Sequence, residues 1–558
     1  MHQEHTLIAV FLALTISTCI SAVPLVDFQV VQPPPVPQDA QTCTIQLFQR
    51  DFGNSFGDPE VVEYTPLTAC GEVGSWAAVT LNFTVTSNGT QFDRLGIFTF
   101  QNVEIWRTST PEPSLTGIIW TYIKDVTRFI PLFSNEGRLI LQLDNLLETG
   151  LNGVYSTTLE ATFFASSPSI PAAQQSNVII PISAASDATN ASADASVSPA
   201  FSVDVTLPQN TISAYAELYA SGNGDEEFWY FNAPNAFLHD LPSGFTFGNG
   251  PFREVRLLID GKVAGTAFPY PVVFTGGILP TAWRPITSYG ALDLPTYVLD
   301  VTPFLPLLTD GGAHNFTVDV ISAETNGAIN QNWFVSGLLQ VVTASTTNPT
   351  TGNMTVYEAD DFPVTSATAN VASNGDVIIT VTASLVYDQS LNYSNVQTYL
   401  DGFNIQNVLQ IASGSVVSTH NGVAVVKDDY SYPFAVNITS LNNDGSVFEA
   451  VFDHSYDRVL LPAPFILGST IQERQIAGGF FEESSSGNTG NGTSNNTFSY
   501  VDTAGNTFSR TVRAALNNIT FDSISGSLAD IEKTPTSNAS PQAQFAAVRM
   551  PGGRTVGV

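Results

Sequence analysis

From position 79 to 86, the apolar Val79, Leu81, Phe83 and Val85 alternate with Thr80, Asn82, Thr84 and Thr86. A period of two marks a strand with one buried and one wetted face; it returns at 201–207, 316–320 and 377–381, whereas helical periodicity is scarce. Short strands punctuated by Gly, Pro, Asn and Asp are joined by turns rather than crossover helices. That argues for an all-β chain of antiparallel sandwiches or jelly rolls and against an α/β sheet.

The 558 residues are too many for one core and suit about three domains. Composition divides them as a signal peptide at 1–22, a stiff proline-rich lead-in at 23–42 and a first β-sandwich at 43–166. An Ala/Ser-rich linker at 167–200, too poor in large apolar residues to pack, leads to a second β-sandwich at 201–345. A C-terminal β-rich domain follows at 346–534, with a flexible loop expected at 484–496 and a loose tail at 535–558.

Residues 7–20 form an apolar run of signal-peptide length ending at the small Ser21 and Ala22, too short to span a membrane. Cys19 would leave with that signal. The remaining Cys43 and Cys70 are most simply one disulfide, and eleven Asn-x-Ser/Thr sequons also point to the secretory route. With 50 acidic against 18 basic residues, the formal charge is −32 and the pI about 4.2. Nucleic acid and anionic membrane surfaces are therefore poor partners. The chain is expected to be secreted, or held in an acidic endomembrane compartment, with no membrane span.

Two blocks mix acids with aromatic residues, as a site that holds a sugar and hydrolyses a bond beside it would require. The first, at 92–113, sets Asp93, Arg94, Glu104, Arg107 and Glu112 around Trp106; the second, at 222–235, sets Asp225, Glu226 and Glu227 before Phe228, Trp229 and Tyr230. Not every acid need be functional: Glu104 and Asp125 fit solvated or structural strand positions, and Glu112, between Pro111 and Pro113, can simply finish a turn. Asp225 and Glu226 can equally solvate a loop. The histidines His239, His314, His420 and His454 are scattered without ligand spacing, so zinc is not expected. GNSFG at 53–57 matches a nucleophile elbow, but the β-like VVEY that follows argues against Ser55 as a nucleophile. No phosphate loop or dinucleotide fingerprint appears, and no cofactor is expected.

The runs FDRLG, VEIWRTSTPEP, GIIWTYIKDVTR and GVYSTTLEATFF, then LPQNTISAYAELYASGNGDEEFWY, NGPFREVRLLIDGKVAG and TGGILPTAWRPITSYGALDLPTY, closely resemble the peptide N-glycanase A family of plants and fungi. The resemblance spans about 43–342 and weakens beyond, through SYPFAVN and IQERQ. It implies an acid-tolerant amidase that removes whole N-glycans from asparagine, core α1,3-fucosylated ones included. A more distant likeness to the bacterial peptide N-glycanase F implies two adjacent antiparallel jelly-roll or β-sandwich domains with the site at their interface, here followed by the third β-rich domain. On that likeness the Asp-Arg pair of FDRLG corresponds to Asp93 and Arg94, the glutamate after an LPxNT-like strand start to Glu227, and a Trp-Arg ahead of a proline turn to Trp283 and Arg284. Asp144 would be a second carboxylate late in the first sandwich. Asp225, Glu226, Trp229, Trp283, Asp144 and Trp120 are then the candidates to bind substrate.

Hydrolysing the amide between Asn and N-acetylglucosamine needs an activated water, a donor to the carbonyl oxygen and an acid for the departing glycosylamine. Asp93 is the expected base and Glu227 the residue that positions the carbonyl or shares the proton. Arg94 or Arg284 would stabilise charge. Carboxyl groups titrating near 4 suit acid conditions, and the expected partners are N-glycosylated peptides or unfolded glycoproteins. Two other classes remain open: a glycan-binding sandwich without catalysis, and a glycosidase using paired carboxylates.

Overall fold

The computed structural model describes residues 25–386, 389–484 and 488–529; the expected signal peptide and the tail at 535–558 lie outside them. Ala78–Ser87 shows how the sequence period becomes architecture. Val79, Leu81, Phe83 and Val85 are each at most 1% exposed, and the strand is paired on both sides, by Ile118–Asp125 and Tyr155–Phe164. The first sheet runs Ile118–Asp125, Ala78–Ser87, Tyr155–Phe164, Thr42–Phe52; the facing sheet runs Glu60–Tyr64, Gly137–Leu143, Leu95–Phe100, Val103–Ser109. Counted along the chain, these eight strands have the order 6-3-8-1 over 2-7-4-5, a jelly roll. The same order recurs with Tyr297–Asp300, Thr211–Asn223, Asn332–Thr343 and Val178–Ile182 over Phe201–Val205, His314–Ile321, Glu254–Ile259 and Lys262–Ala267. The chain is thus all-β, with two adjacent jelly rolls.

Two segments expected to lie outside the sandwiches, the stiff lead-in and the linker, contribute strands to these rolls. In the proline-rich lead-in, Val26–Phe28 adds a parallel strand beside Ile118–Asp125. In the Ala/Ser-rich linker, Val178–Ile182 and Ala195–Val197 both pair with Asn332–Thr343, and Ala193 is fully buried with its N–H donated to Thr99 Oγ1. Small side chains do not prevent packing here; they let the backbone pair closely with its neighbours. Charged groups tie the rolls together. Arg107, paired with Glu104, donates to Ser221 Oγ and to the Phe334 carbonyl, Arg128 pairs with Glu217, and Trp106 Nε1 donates to the Leu292 carbonyl. The disulfide Cys43–Cys70 closes a separation of 27 residues at the start of the first roll.

The third domain is one ten-stranded antiparallel sheet in chain order, from Val364–Val371 to Asn518–Ser525. One face sends Val381, Tyr393, Tyr432, Phe434 and Phe452 into the same core as Phe252, Phe268, Tyr270 and Trp283 of the second roll. Most of the flexible loop expected at 484–496 is instead strand: Thr489–Asp502 pairs along its length with Ser469–Glu482. Over 489–496 its inward positions are Gly492, Ser494 and Asn496, small or polar residues that hide the strand pattern; Asn496 Nδ2 meets Glu473 Oε1 at 2.5 Å. No helix among the described residues is long and apolar enough to cross a membrane.

Candidate functional site

Equivalent loops of the two rolls build the site. In the first roll, the connection between strands three and four carries Asp93, and that between strands five and six carries Glu112. In the second, the corresponding connections carry Glu227 and the pair Gly276 and Arg284. Hydrogen bonds stitch these loops across the rolls: Thr275 Oγ1 donates to the Thr110 carbonyl at 2.6 Å, Ser109 N–H to Ala291 O at 2.8 Å and Gly276 N–H to Asp93 Oδ2 at 3.3 Å.

Gly276 is where the acids converge. A Cβ there would stand 2.4 Å from Glu112 Oε1 and 3.0 Å from Asp93 Oδ1, so the absence of a side chain is what lets both carboxyl groups close on this backbone. Two residues on, Ile278 is held at φ 61°, a left-handed conformation that β-branched residues rarely adopt. Strain of that kind survives only where the surroundings enforce it. Here Trp283 Nε1 donates to the Gly277 carbonyl at 2.9 Å. On the other roll, Tyr155 donates its hydroxyl to the carbonyl of Phe92 at 2.8 Å, fixing the backbone just before Asp93.

The electrostatics follow from crowding acids out of water. Burial raises the Asp93 carboxyl above its ordinary value, opposed by the Gly276 N–H and by Arg94. Burial, then the charge of Asp93, pushes Glu112 up to about 8, with Arg284 pulling the other way and Glu227 adding to the rise. Burial and then Asp93 likewise push Glu227 up to about 8. The three charges act on one another, and Glu112 and Glu227 keep their protons at neutral pH. Asp93, supported by an amide donor and an arginine, is the member best placed to ionise first, leaving the glutamic acids as proton donors.

Arg284 borders this cluster. Its Nη1 donates to the Glu112 carbonyl at 2.8 Å, its Nε to Asn517 Oδ1 at 2.9 Å, and its guanidinium lies over Phe28 at 5.2 Å. Its Nη2 is buried and has no hydrogen-bond partner among the described residues. A cation with a spare donor is what a developing negative charge requires.

Several residues expected at the site are placed elsewhere. Arg94 is spent as a brace, Nε to Asn145 Oδ1 and Nη2 to Gln91 Oε1, which leaves Arg284 as the available cation. Glu226 is fully buried in a forked pair with Arg253 and also accepts from Trp333 Nε1 and Asn330 N–H. Burial alone would raise its carboxyl; the Arg253 bonds outweigh that and hold it below the usual range. It is therefore corrected from substrate ligand to core ion pair. Asp225 is half-buried, with its N–H donated to Gln331 Oε1. Asp144 accepts from Gly57 N–H and Gln142 Nε2, anchoring a loop. Trp120, Trp229 and Trp283 are at most 3% exposed, packed on Tyr155, on Tyr230 with Trp333, and on Phe452. They are corrected from sugar platforms to core anchors, because a large indole contributes most when fully desolvated. Ser55 is buried and donates to the Leu143 carbonyl.

Glu112, expected only to finish a turn, is the third carboxylate of the cluster. Its signal was its setting: Pro111 and Pro113 fix the backbone on either side, so the acid between them is aimed rather than loose.

Known proteins match this chain over the same regions. The profile described as peptide N-acetyl-β-D-glucosaminyl asparaginase amidase A matches residues 32–360, and that of the PNGase A C-terminal domain matches residues 366–434. The peptide-N4-(N-acetyl-β-glucosaminyl)asparagine amidase A of Prunus dulcis is 34% identical over 320 residues, 54% of this chain and 55% of that one. The chain thus spans about half the length of the curated relative it matches. A crystal structure of a peptide-N(4)-(N-acetyl-β-D-glucosaminyl)asparagine amidase is similar at 17% identity and TM-score 0.34, over 56% of this chain and 98% of that one. PNGF-II is similar at 14% and 0.36, over 54% and 66%. With its profile extending over more than half of the sequence, this chain belongs to the peptide N-acetyl-β-D-glucosaminyl asparaginase amidase A family.

Proposed function

We propose that this chain is an amidase that hydrolyses the bond between asparagine and the first N-acetylglucosamine of an N-glycan, releasing the whole glycan and leaving aspartate. The observation that carries the reading is the convergence of Asp93 and Glu112 on Gly276 beside Arg284, with Glu227 near enough for the Asp93 charge to act on it. Ionised Asp93 takes a proton from water as its oxygen adds to the side-chain carbonyl carbon. Arg284 and a protonated glutamic acid stabilise the oxygen on which charge collects. The carbon–nitrogen bond then breaks as a glutamic acid protonates the nitrogen, and a free glycosylamine departs. No metal is needed for these proton transfers, since the acids and the base are supplied by separate environments within one cluster.

A site between loops of two rolls asks the peptide on either side of Asn to extend, which favours glycopeptides and unfolded glycoproteins. The sequons and leader-like start support secretion or residence in an acidic compartment as its setting. The test is incubation with a glycopeptide of defined structure, followed by mass spectrometry of the peptide. Aspartate at the former glycosylation site with an intact free glycan supports the amidase. A sugar remaining on asparagine would identify a glycosidase, and an unchanged glycopeptide a binding protein.

A further inference from the structure

We infer that Asn517, in the last hairpin of the C-terminal sheet, is a positioning residue for the reaction, acting through Arg284; this rests on the amidase reading above. Asn517 occupies the turn between Thr507–Ala515 and Asn518–Ser525, more than 200 residues from the loop it touches. It holds Arg284 twice, its Oδ1 accepting from Arg284 Nε at 2.9 Å and its N–H donating to the Arg284 carbonyl at 3.2 Å. The turn is shaped for this grip. Asn517 is at φ 67°, a left-handed conformation that asparagine tolerates better than most residues. The neighbouring strand fits as closely: a Cβ on Gly492 would stand 2.0 Å from the Thr281 carbonyl, so the sheet lies flat against the Pro280–Trp283 turn that precedes Arg284. The Leu516 N–H donates to the Gly492 carbonyl at 2.9 Å, linking hairpin and strand.

The consequence is geometric. With Nε fixed by Asn517, Nη1 by the Glu112 carbonyl and one face by Phe28, the guanidinium plane is set, and Nη2, unpartnered among the described residues, has a single direction. A donor that serves developing charge must already point where the charge will appear, and misplacement by about 1 Å costs as much as 10²-fold. The C-terminal sheet is therefore part of the active site, although it contributes no reacting atom.

The test uses the full chain and Asn517→Gly, which accepts the positive φ, keeps the backbone N–H and removes the side-chain amide that accepts from Arg284 Nε. Deglycosylation of a glycopeptide should lose roughly tenfold to a hundredfold in kcat with KM nearly unchanged. Asn517→Asp, which retains an acceptor for Nε, should restore most of that loss. In an Arg284→Lys background, which lacks the fork, Asn517→Gly should cost little more, whereas a general loss of stability would add in full. Wild-type kcat in Asn517→Gly, or full additivity with Arg284→Lys, overturns the inference. Absence of turnover in the wild-type chain would instead overturn the amidase reading beneath it.

Discussion

Replacing Glu112 by Gln should abolish turnover and yet make the protein more stable, and the pH at which that gain appears tests the carboxylate cluster directly. The ordinary glutamic acid value is 4.5, and burial with Asp93 nearby lifts Glu112 to about 8. Below 4.5 the group is protonated in both folded and unfolded chains and costs nothing. Between 4.5 and 8 the unfolded chain ionises freely while the folded site resists, so folding loses stability progressively, with the full loss above 8. At about 1.4 kcal/mol per pH unit this ceiling is roughly 5 kcal/mol. Because three acids share protons and the loops can relax, about 1–2 kcal/mol is the expected recovery in Glu112→Gln, a rise in Tm of a few degrees. Thermal unfolding of wild type and variant across pH 4 to 9 measures it. The two curves should coincide near pH 4 and separate as pH rises. A gap independent of pH, or a variant less stable at pH 8, would show that Glu112 is not held against its charge.

Asp93→Asn should reduce glycopeptide deglycosylation by at least about 10³-fold with folding intact by circular dichroism, since it removes the base while nearly preserving shape. Wild-type turnover in that variant would remove Asp93 from the chemistry. The rate should fall on the acid side as Asp93 takes up a proton, above the usual aspartate range, and on the alkaline side near 8 as the glutamic acids lose theirs; a rate still climbing past pH 8 would call for a different acid. Gly276→Ala should be as damaging as loss of an acid although it removes no functional group, because its methyl would occupy the space of Glu112 Oε1; normal kcat would contradict that packing. Glu226→Ala, which strands Arg253 in the core, should cost about 3–5 kcal/mol in denaturant unfolding.

What the sequence disclosed depended on whether a residue's role was local. Strand periods at Val79 and Val377 forecast strands because alternation is a property of neighbours. Asp93 and Glu227 stood out because each lies in a short block that mixes acids with aromatic residues, FDRLG and DEEFWY, and because those blocks carry the family resemblance. Glu226 and Glu227 are adjacent in sequence and chemically alike, yet opposite in circumstance. One meets Arg253, 27 residues later, and the other meets Asp93 across the interface between rolls, and no local pattern distinguishes them. The first half of Thr489–Asp502 failed to look like a strand because Gly492 answers a contact more than 200 residues earlier, the Thr281 carbonyl, and Ser494 and Asn496 face the polar Gln475 and Glu473. Asn517 was invisible for the same reason.

Three acids that repel one another would move apart if their loops were free, so the fold must supply restraint in proportion. The restraint is found one residue away from each. Beside Glu227, Glu226 is locked to Arg253, Trp333 and Asn330, so the chain cannot swing Glu227 outward without exposing a buried ion pair. Beside Asp93, the Phe92 carbonyl is held by Tyr155 and the Arg94 side chain by Asn145 and Gln91. Glu112 lies between two prolines with its carbonyl gripped by Arg284. Such neighbours, read alone, look like functional acids and bases that the reaction does not use. Breaking the Glu226–Arg253 pair costs about 3–5 kcal/mol and each hydrogen bond about 1–3 kcal/mol, and together these restraints keep protonation rather than movement as the cluster's means of relief.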